Sequence, residues 1–191
     1  MLIGIDLDSV VADIMPPLID YHNKNYGTSL VLSDYKVFEL GVTWRCSREE
    51  VLSRAFNFYR SSWFDTVKPV KGAIEGIEYL SRNCELHIIT SRPNIIKEKT
   101  DKWIFKYFPK KFKTIHHTNQ FSKKGGKNKS EICQSLGIKM IIEDSLAFAH
   151  DCSSSDIKVL LMDMPWNQSK TLPKNITRVY GWKDIIDLFT K

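Results

Sequence analysis

The chain has 191 residues, 42% hydrophobic and 26% charged, which is enough apolar material for one packed domain with a modest insertion. A formal net charge of +6 favours anionic partners, phosphates or nucleic acid. No apolar run reaches 18 residues, which argues against a membrane-spanning helix, and the N-terminus lacks the pattern of a secretory signal, so a cytoplasmic location is expected.

In chain order, the first expected element is a short buried strand, Leu2–Ile5, running straight into Asp6 and Asp8. Some sixty residues without a strong strand follow. They open with Pro16-Pro17, carry helix-like stretches at Leu18–Tyr26 and Arg48–Ser61, and are dense in aromatics: Trp44, Phe56, Phe58, Tyr59, Trp63 and Phe64. The spacing predicts a small helical insertion over residues 15–69, most of its aromatics forming its own core and one or two facing a cleft. A helix is expected at Ala73–Asn83, with Ile74, Ile77 and Leu80 at helical spacing. A second strand, Leu86–Ile89, precedes Thr90-Ser91-Arg92; a helix at Asn94–Phe108 and a weaker third strand at Thr114–His117 follow. A helix at Lys129–Leu136 is stopped by Gly137, a fourth strand at Met140–Ile142 leads into Glu143-Asp144-Ser145, and a fifth strand spans Lys158–Met162. Short apolar strands alternating with helices predict a parallel α/β sheet covered on both faces, with residues 1–14 and 70–191 forming its domain.

Four polar features fall at strand ends or on the next helix: Asp6/Asp8, Thr90-Ser91, a lysine at the start of a helix, and Glu143-Asp144. In an open parallel sheet that is where ligands bind. A carboxylate can attack phosphorus, and a second can give a proton to the leaving oxygen and then activate water. Clustered carboxylates also hold Mg²⁺, a hard cation that shares phosphate oxygens. A hydroxyl, backbone amides and a lysine can steady the phosphoryl oxygens as charge shifts. The lysine is read as Lys129, fifteen residues before Asp144, with Lys127 as the alternative.

The motifs I-G-I-D-L-D-S-V, H-I-I-T-S-R-P, K-S-E-I-C-Q-S-L-G-I and M-I-I-E-D-S together resemble those of the haloacid dehalogenase-like (HAD) superfamily of phosphotransferases. The resemblance implies a Rossmann-like parallel sheet of order 5-4-1-2-3 with a helical cap inserted after strand one. By motif it implies Asp6 as nucleophile and Asp8 as general acid/base. Thr90 and Ser91 with Lys129 would bind the phosphate, and Mg²⁺ would lie on Asp6, the Asp8 carbonyl and Asp144, with Glu143 acting through water. Within the superfamily, the continuation D-x-D-x-V-x-A-D to Asp13, the place of the insertion and the stretch L-L-M-D-M-P-W-N resemble the 5′(3′)-deoxyribonucleotidase group. Ser9 departs from that group, which commonly has Gly there.

The implied activity is a Mg²⁺-dependent phosphomonoesterase acting on a (deoxy)nucleoside monophosphate, with Arg92 a possible substrate contact. Two alternatives stand beside it: the same chemistry on another small phosphate ester or a nucleic-acid terminal phosphate, and a non-catalytic phosphate-binding regulatory module. The basic runs Lys97–Lys113 and Ser122–Lys129 mildly favour nucleic acid but read first as solvated surface. Cys46, Cys84, Cys133 and Cys152 form no C-x-x-C pair and are expected to be free thiols; adjacent His116 and His117 would point to opposite faces of a strand, which argues against a shared zinc.

Overall fold

A computed structural model describes residues 1–118 and 126–190; residues 122–125 of the second basic run lie outside the described residues. The elements in chain order are β1 (Leu2–Ile5), β2 (Ala12–Asp13), α1 (Met15–Tyr26), α2 (Leu40–Trp44), α3 (Arg48–Arg60), β3 (Lys68–Pro69), α4 (Ala73–Leu80), β4 (Glu85–Thr90), α5 (Lys97–Tyr107), β5 (Thr114–His117), α6 (Lys129–Leu136), β6 (Met140–Glu143), α7 (Leu146–Ser154), β7 (Lys158–Met162), β8 (Ile176–Val179) and α8 (Trp182–Phe189).

The main sheet has six parallel strands in the order β5-β4-β1-β6-β7-β8. The five strands expected from sequence keep the order implied by the resemblance, and the difference in detail is β8, added beyond β7 at the edge. Its sequence, Ile-Thr-Arg-Val, mixes polar and apolar positions as an edge strand does and lacks the continuous apolar run that marks a buried one. The helix expected over Ala73–Asn83 ends at Leu80, and the one expected from Asn94 opens as a 3₁₀ turn over Asn94–Ile96 before becoming α5.

Two apolar clusters cover the two faces of the sheet. Ile3, Ile5, Leu86, Ile88, Ile142 and Leu160 lie on one, and Ile89, Ile141, Val159 and Leu161 on the other, the alternation a strand imposes. The first cluster continues without a break into the helical segment through Leu18, Ile19, Trp44, Phe58 and Phe64. That segment leaves and returns through β2 and β3, which pair antiparallel, Ala12 opposite Pro69 and Asp13 opposite Lys68. Pro16 and Pro17 sit in the first turn of α1, where a missing amide hydrogen costs nothing, and Ser47 caps α3 by accepting from the Glu50 amide.

Two lysines of α5 pair locally, Lys97 with Asp101 and Lys102 with Glu98, one helical turn away, as exposed charges on a helix do. Among the described residues no helix is long and apolar enough to cross a membrane.

The α4–α8 contact depends on Gly76. A Cβ there would stand 2.1 Å from Cε3 of Trp182, an indole that is buried and donates to the Val10 carbonyl at 2.8 Å. Gly76→Ala is therefore expected to destabilise the fold by about 2–3 kcal/mol, the cost of an overpacked core, despite alanine's better helix propensity. Urea unfolding of the two proteins measures the difference.

Candidate active site

The loop after β1 is built by backbone hydrogen bonds. The Asp6 amide donates to the Ile142 carbonyl at 2.9 Å, extending the β1–β6 ladder by one residue. The Val11 and Ala12 amides both donate to the Leu7 carbonyl, at 2.9 and 2.7 Å, and the Ser9 amide donates to the Ala12 carbonyl at 2.8 Å. Leu7, Val10 and Val11 are buried, so apolar anchors alternate with the two aspartates and hold them at the sheet's edge. Closing so tight a loop puts Ser9 in the left-handed region, at φ 63°. A Cβ costs energy there, which accounts for Gly at this position in the resembling group.

Asp6 is buried, and Lys129, the first residue of α6, reaches it. The Lys129 Nζ stands 2.7 Å from Asp6 Oδ1 and 2.7 Å from Glu143 Oε2. The other Glu143 oxygen accepts from the Ser145 amide at 3.1 Å. The Phe148 ring lies 4.7 Å from the same ammonium. Sequence left Lys127 as an alternative; its side chain is exposed, whereas Lys129 is buried among the carboxylates.

Carboxylate oxygens of Asp6, Glu143 and Asp144 all lie within 4.8 Å of one another, and all three residues are buried. Asp144 is oriented from outside: Trp166 Nε1 donates to its Oδ2 at 3.1 Å, and Asn167 Nδ2 donates to its carbonyl at 2.7 Å. Sequence reading named neither residue as part of the site, although the D-M-P-W-N stretch that holds them was itself a signal.

Thr90 ends β4 with its hydroxyl buried, accepting from the Arg92 amide at 3.1 Å. Among the described residues the Ser91 and Ser145 hydroxyls are buried without a hydrogen-bond partner. An orphaned buried hydroxyl has the donor and acceptor capacity that an incoming phosphoryl oxygen would use.

Arg92, expected as a possible substrate contact, has its side chain engaged by other residues of the protein. Its guanidinium is wholly buried and donates to Asp8, from Nε at 3.1 and 3.0 Å to the two carboxylate oxygens and from Nη2 at 2.6 Å to Oδ1. Burial of an arginine demands a paired acid, and Asp8 supplies it.

The electrostatics are unbalanced. Four carboxylates, Asp6, Asp8, Glu143 and Asp144, face two cations, Lys129 and Arg92. Burial pushes the Asp6 carboxyl up to about 7, and the Glu143 and Asp8 charges add to the rise against the pull of Lys129. Burial, then Glu143 and Asp6, raise Asp144 well above the usual carboxylate range. Burial works against the charge of Lys129, but Asp6 and Glu143 outweigh it and hold the ammonium above its ordinary value.

A parallel sheet with a buried aspartate at the end of β1, a hydroxyl at the end of β4, a lysine on α6 and an acidic pair at the end of β6 is the arrangement of a HAD-type phosphatase, a hydrolase of phosphoric monoesters. The chain belongs to the 5′ nucleotidase, deoxy (pyrimidine), cytosolic type C protein family, whose family model matches residues 1–191. A nucleotidase of Clostridium acetobutylicum is 27% identical over 183 residues, covering 96% of this chain and 90% of that protein. Among solved structures, a haloacid dehalogenase-like hydrolase of Streptococcus pneumoniae superposes with a TM-score of 0.70 at 17% identity, over 98% of this chain and 97% of that one. The HAD-hydrolase YfnB of Bacillus subtilis, solved bound to magnesium, superposes with a TM-score of 0.69 at 16% identity, over 100% of this chain and 98% of that one.

The strained loop yields a stability prediction. Ser9→Gly relieves the left-handed strain at the cost of a more flexible unfolded chain, and a net gain of about 0.5–1 kcal/mol is expected. A shift of the guanidinium midpoint to higher concentration at unchanged slope would register it.

Proposed function

We propose that the protein is a Mg²⁺-dependent 5′(3′)-(deoxy)nucleotidase that works through an aspartyl-phosphate on Asp6, with residues 15–69 acting as a cap over the strand ends. The observation that carries this reading is the buried cluster of Asp6, Glu143 and Asp144 around a single lysine. Family membership supplies the substrate class.

The donor set fits the metal. Buried carboxylate oxygens are the ligands a hard divalent cation takes, and among the described residues the four carboxylates, once ionised, outnumber the site's cations by two. Asp6 and Asp144 would hold the ion with the Asp8 carbonyl, and Glu143, its oxygens engaged by Lys129 and Ser145, would act through water. Bound there, Mg²⁺ supplies charge neutralisation for the carboxylates and the phosphate.

The chain's own groups then divide the work. Asp6 attacks phosphorus, forming an O–P bond as the ester P–O bond breaks, and Asp8 gives its proton to the leaving oxygen. Asp8 next takes a proton from the water that attacks the aspartyl-phosphate, releasing phosphate and freeing Asp6. Thr90, the unpartnered Ser91 hydroxyl and Lys129 steady the phosphoryl oxygens during both transfers. The cap aromatics would close the site against water; Phe64 already reaches it, its ring 5.0 Å from the Arg92 guanidinium.

Phosphate release from a panel of nucleoside monophosphates, sugar phosphates and 5′-phosphorylated oligonucleotides, with and without chelator, tests the reading. Metal-dependent turnover strongest on a deoxynucleoside monophosphate is the expected result, and preference for oligonucleotide ends would replace the substrate with a nucleic-acid terminus. Asp6→Asn should lose at least about 10³-fold in kcat and form no acyl-phosphate; near-normal turnover would remove Asp6 as the nucleophile.

Cation binding carries a sign. Asp6 titrates at about 7 before the cation arrives, and only its ionised form is a ligand. Affinity for Mg²⁺ should therefore weaken as pH falls, by at least roughly tenfold between pH 8 and pH 6 on the Asp6 proton alone and more steeply with Asp144 raised as well, with proton release on binding. Calorimetric titration in two buffers of different ionisation enthalpy measures both.

A further inference from the structure

Arg92 and Asp8 lie 84 positions apart in sequence and meet side by side in the site. We propose that Arg92 is a positioning residue: it fixes the Asp8 carboxylate from behind and touches no part of the substrate. The inference rests on the reading of Asp8 as the group that moves protons.

Every donor direction of the guanidinium used in the structure points inward. Nε and Nη2 grip the carboxylate, and Nη1 donates to Thr100 Oγ1 at 3.3 Å, on a residue with no exposed surface. The Phe64 ring lies over the guanidinium. The main chain is pinned as well: the Arg92 amide donates to Thr90 Oγ1 at 3.1 Å, and its carbonyl accepts from His117 Nδ1 at 3.3 Å. A residue held at its side chain, its N–H and its C=O has little freedom to reach a ligand.

The asymmetry of exposure gives the direction of the effect. The Arg92 side chain is 0% exposed, and that of Asp8 is 27% exposed. The arginine therefore stands on the protein side of the pair and the carboxylate on the open side. Oδ1 takes two of the three contacts, and Oδ2 takes only the Nε contact at 3.0 Å, which leaves Oδ2 the oxygen with a lone pair to spare. A planar fork fixes the rotation of the carboxylate as well as its place, which a lysine cannot do. Proton transfer is steep in distance and angle, so a carboxylate free to rotate would spend little time aimed at the leaving oxygen.

The same contact extends beyond the sheet. Phe64 belongs to the segment between β2 and β3, and Asp65 beside it pairs with Lys99 of α5 at 3.1 Å, so the covering of Arg92 is itself anchored.

The test is a comparison of leaving groups. A nucleoside monophosphate expels an alkoxide that needs a proton, and p-nitrophenyl phosphate expels a phenolate that leaves without one. Asp8 also serves the hydrolysis of the aspartyl-phosphate, which both substrates share, so the readout is the phosphorylation step alone, the burst rate of nucleoside or p-nitrophenol in the first turnover. R92Q should lose about 100-fold or more in that rate on the nucleotide, with KM within about threefold, and less than about tenfold on p-nitrophenyl phosphate. R92K keeps the buried charge and secures the fold; it should show the same split between substrates with a smaller loss, about tenfold on the nucleotide. D8N run beside them should show the split in full. Equal losses on the two substrates in both arginine variants, with the split intact in D8N, would make Arg92 a merely structural residue and overturn the inference. A raised KM at unchanged kcat would overturn it in favour of a substrate contact. A D8N protein without the split would instead remove the reading of Asp8 on which the inference stands.

Discussion

The ammonium of Lys129, placed between Asp6 and Glu143, is the contact on which the site's assembly depends. Three buried carboxylates within 4.8 Å of one another repel strongly, and burial alone favours their neutral forms. The lysine offsets part of that repulsion at 2.7 Å from two of them, while they in turn offset the cost of burying it. Neither partner is tolerable there without the other. The pairing also joins β1, α6 and β6, so the geometry of Asp6 and the docking of a helix become one constraint.

From this follows a division of roles at the strand ends. Lys129 serves the inner pair, Asp6 and Glu143, and Arg92 serves the outer one, Asp8. The two cations do not share an acid among the ion pairs of the described residues. Asp144 has no cation of its own among them and is oriented by neutral donors, the Trp166 indole and the Asn167 amide. Neutral donors fix the orientation of Asp144 without adding a positive charge beside it, while burial and its acidic neighbours favour its neutral form.

Much of this was legible in the sequence because the parallel sheet converts linear position into spatial position. Asp6, Thr90 and Asp144 each follow an apolar run, and in such a sheet the ends of those runs converge. Lys129 was legible as a candidate because it opens a helix one crossover before Asp144, but choosing it over Lys127 required knowing which side chain turns inward. The partner of Arg92 was not legible for a related reason: an arginine after Thr90-Ser91 reads as a ligand contact, and folding shows that it pairs with an aspartate on another strand end. Edge strand β8 escaped because its polar and apolar positions mix, and Trp166 because a lone tryptophan in a turn has no periodicity to mark its partner.

The indole of Trp182 donates to the Val10 carbonyl, inside the loop that carries the two aspartates, from 172 positions downstream. During synthesis, then, the loop after β1 waits for α8. At a translation rate of about 5–20 residues per second, that interval is roughly ten to thirty seconds. Until it ends, the loop lacks the contact that backs it, and the nascent chain carries its acidic residues without a finished site. The backing of that loop is in this way deferred until α8 has been made.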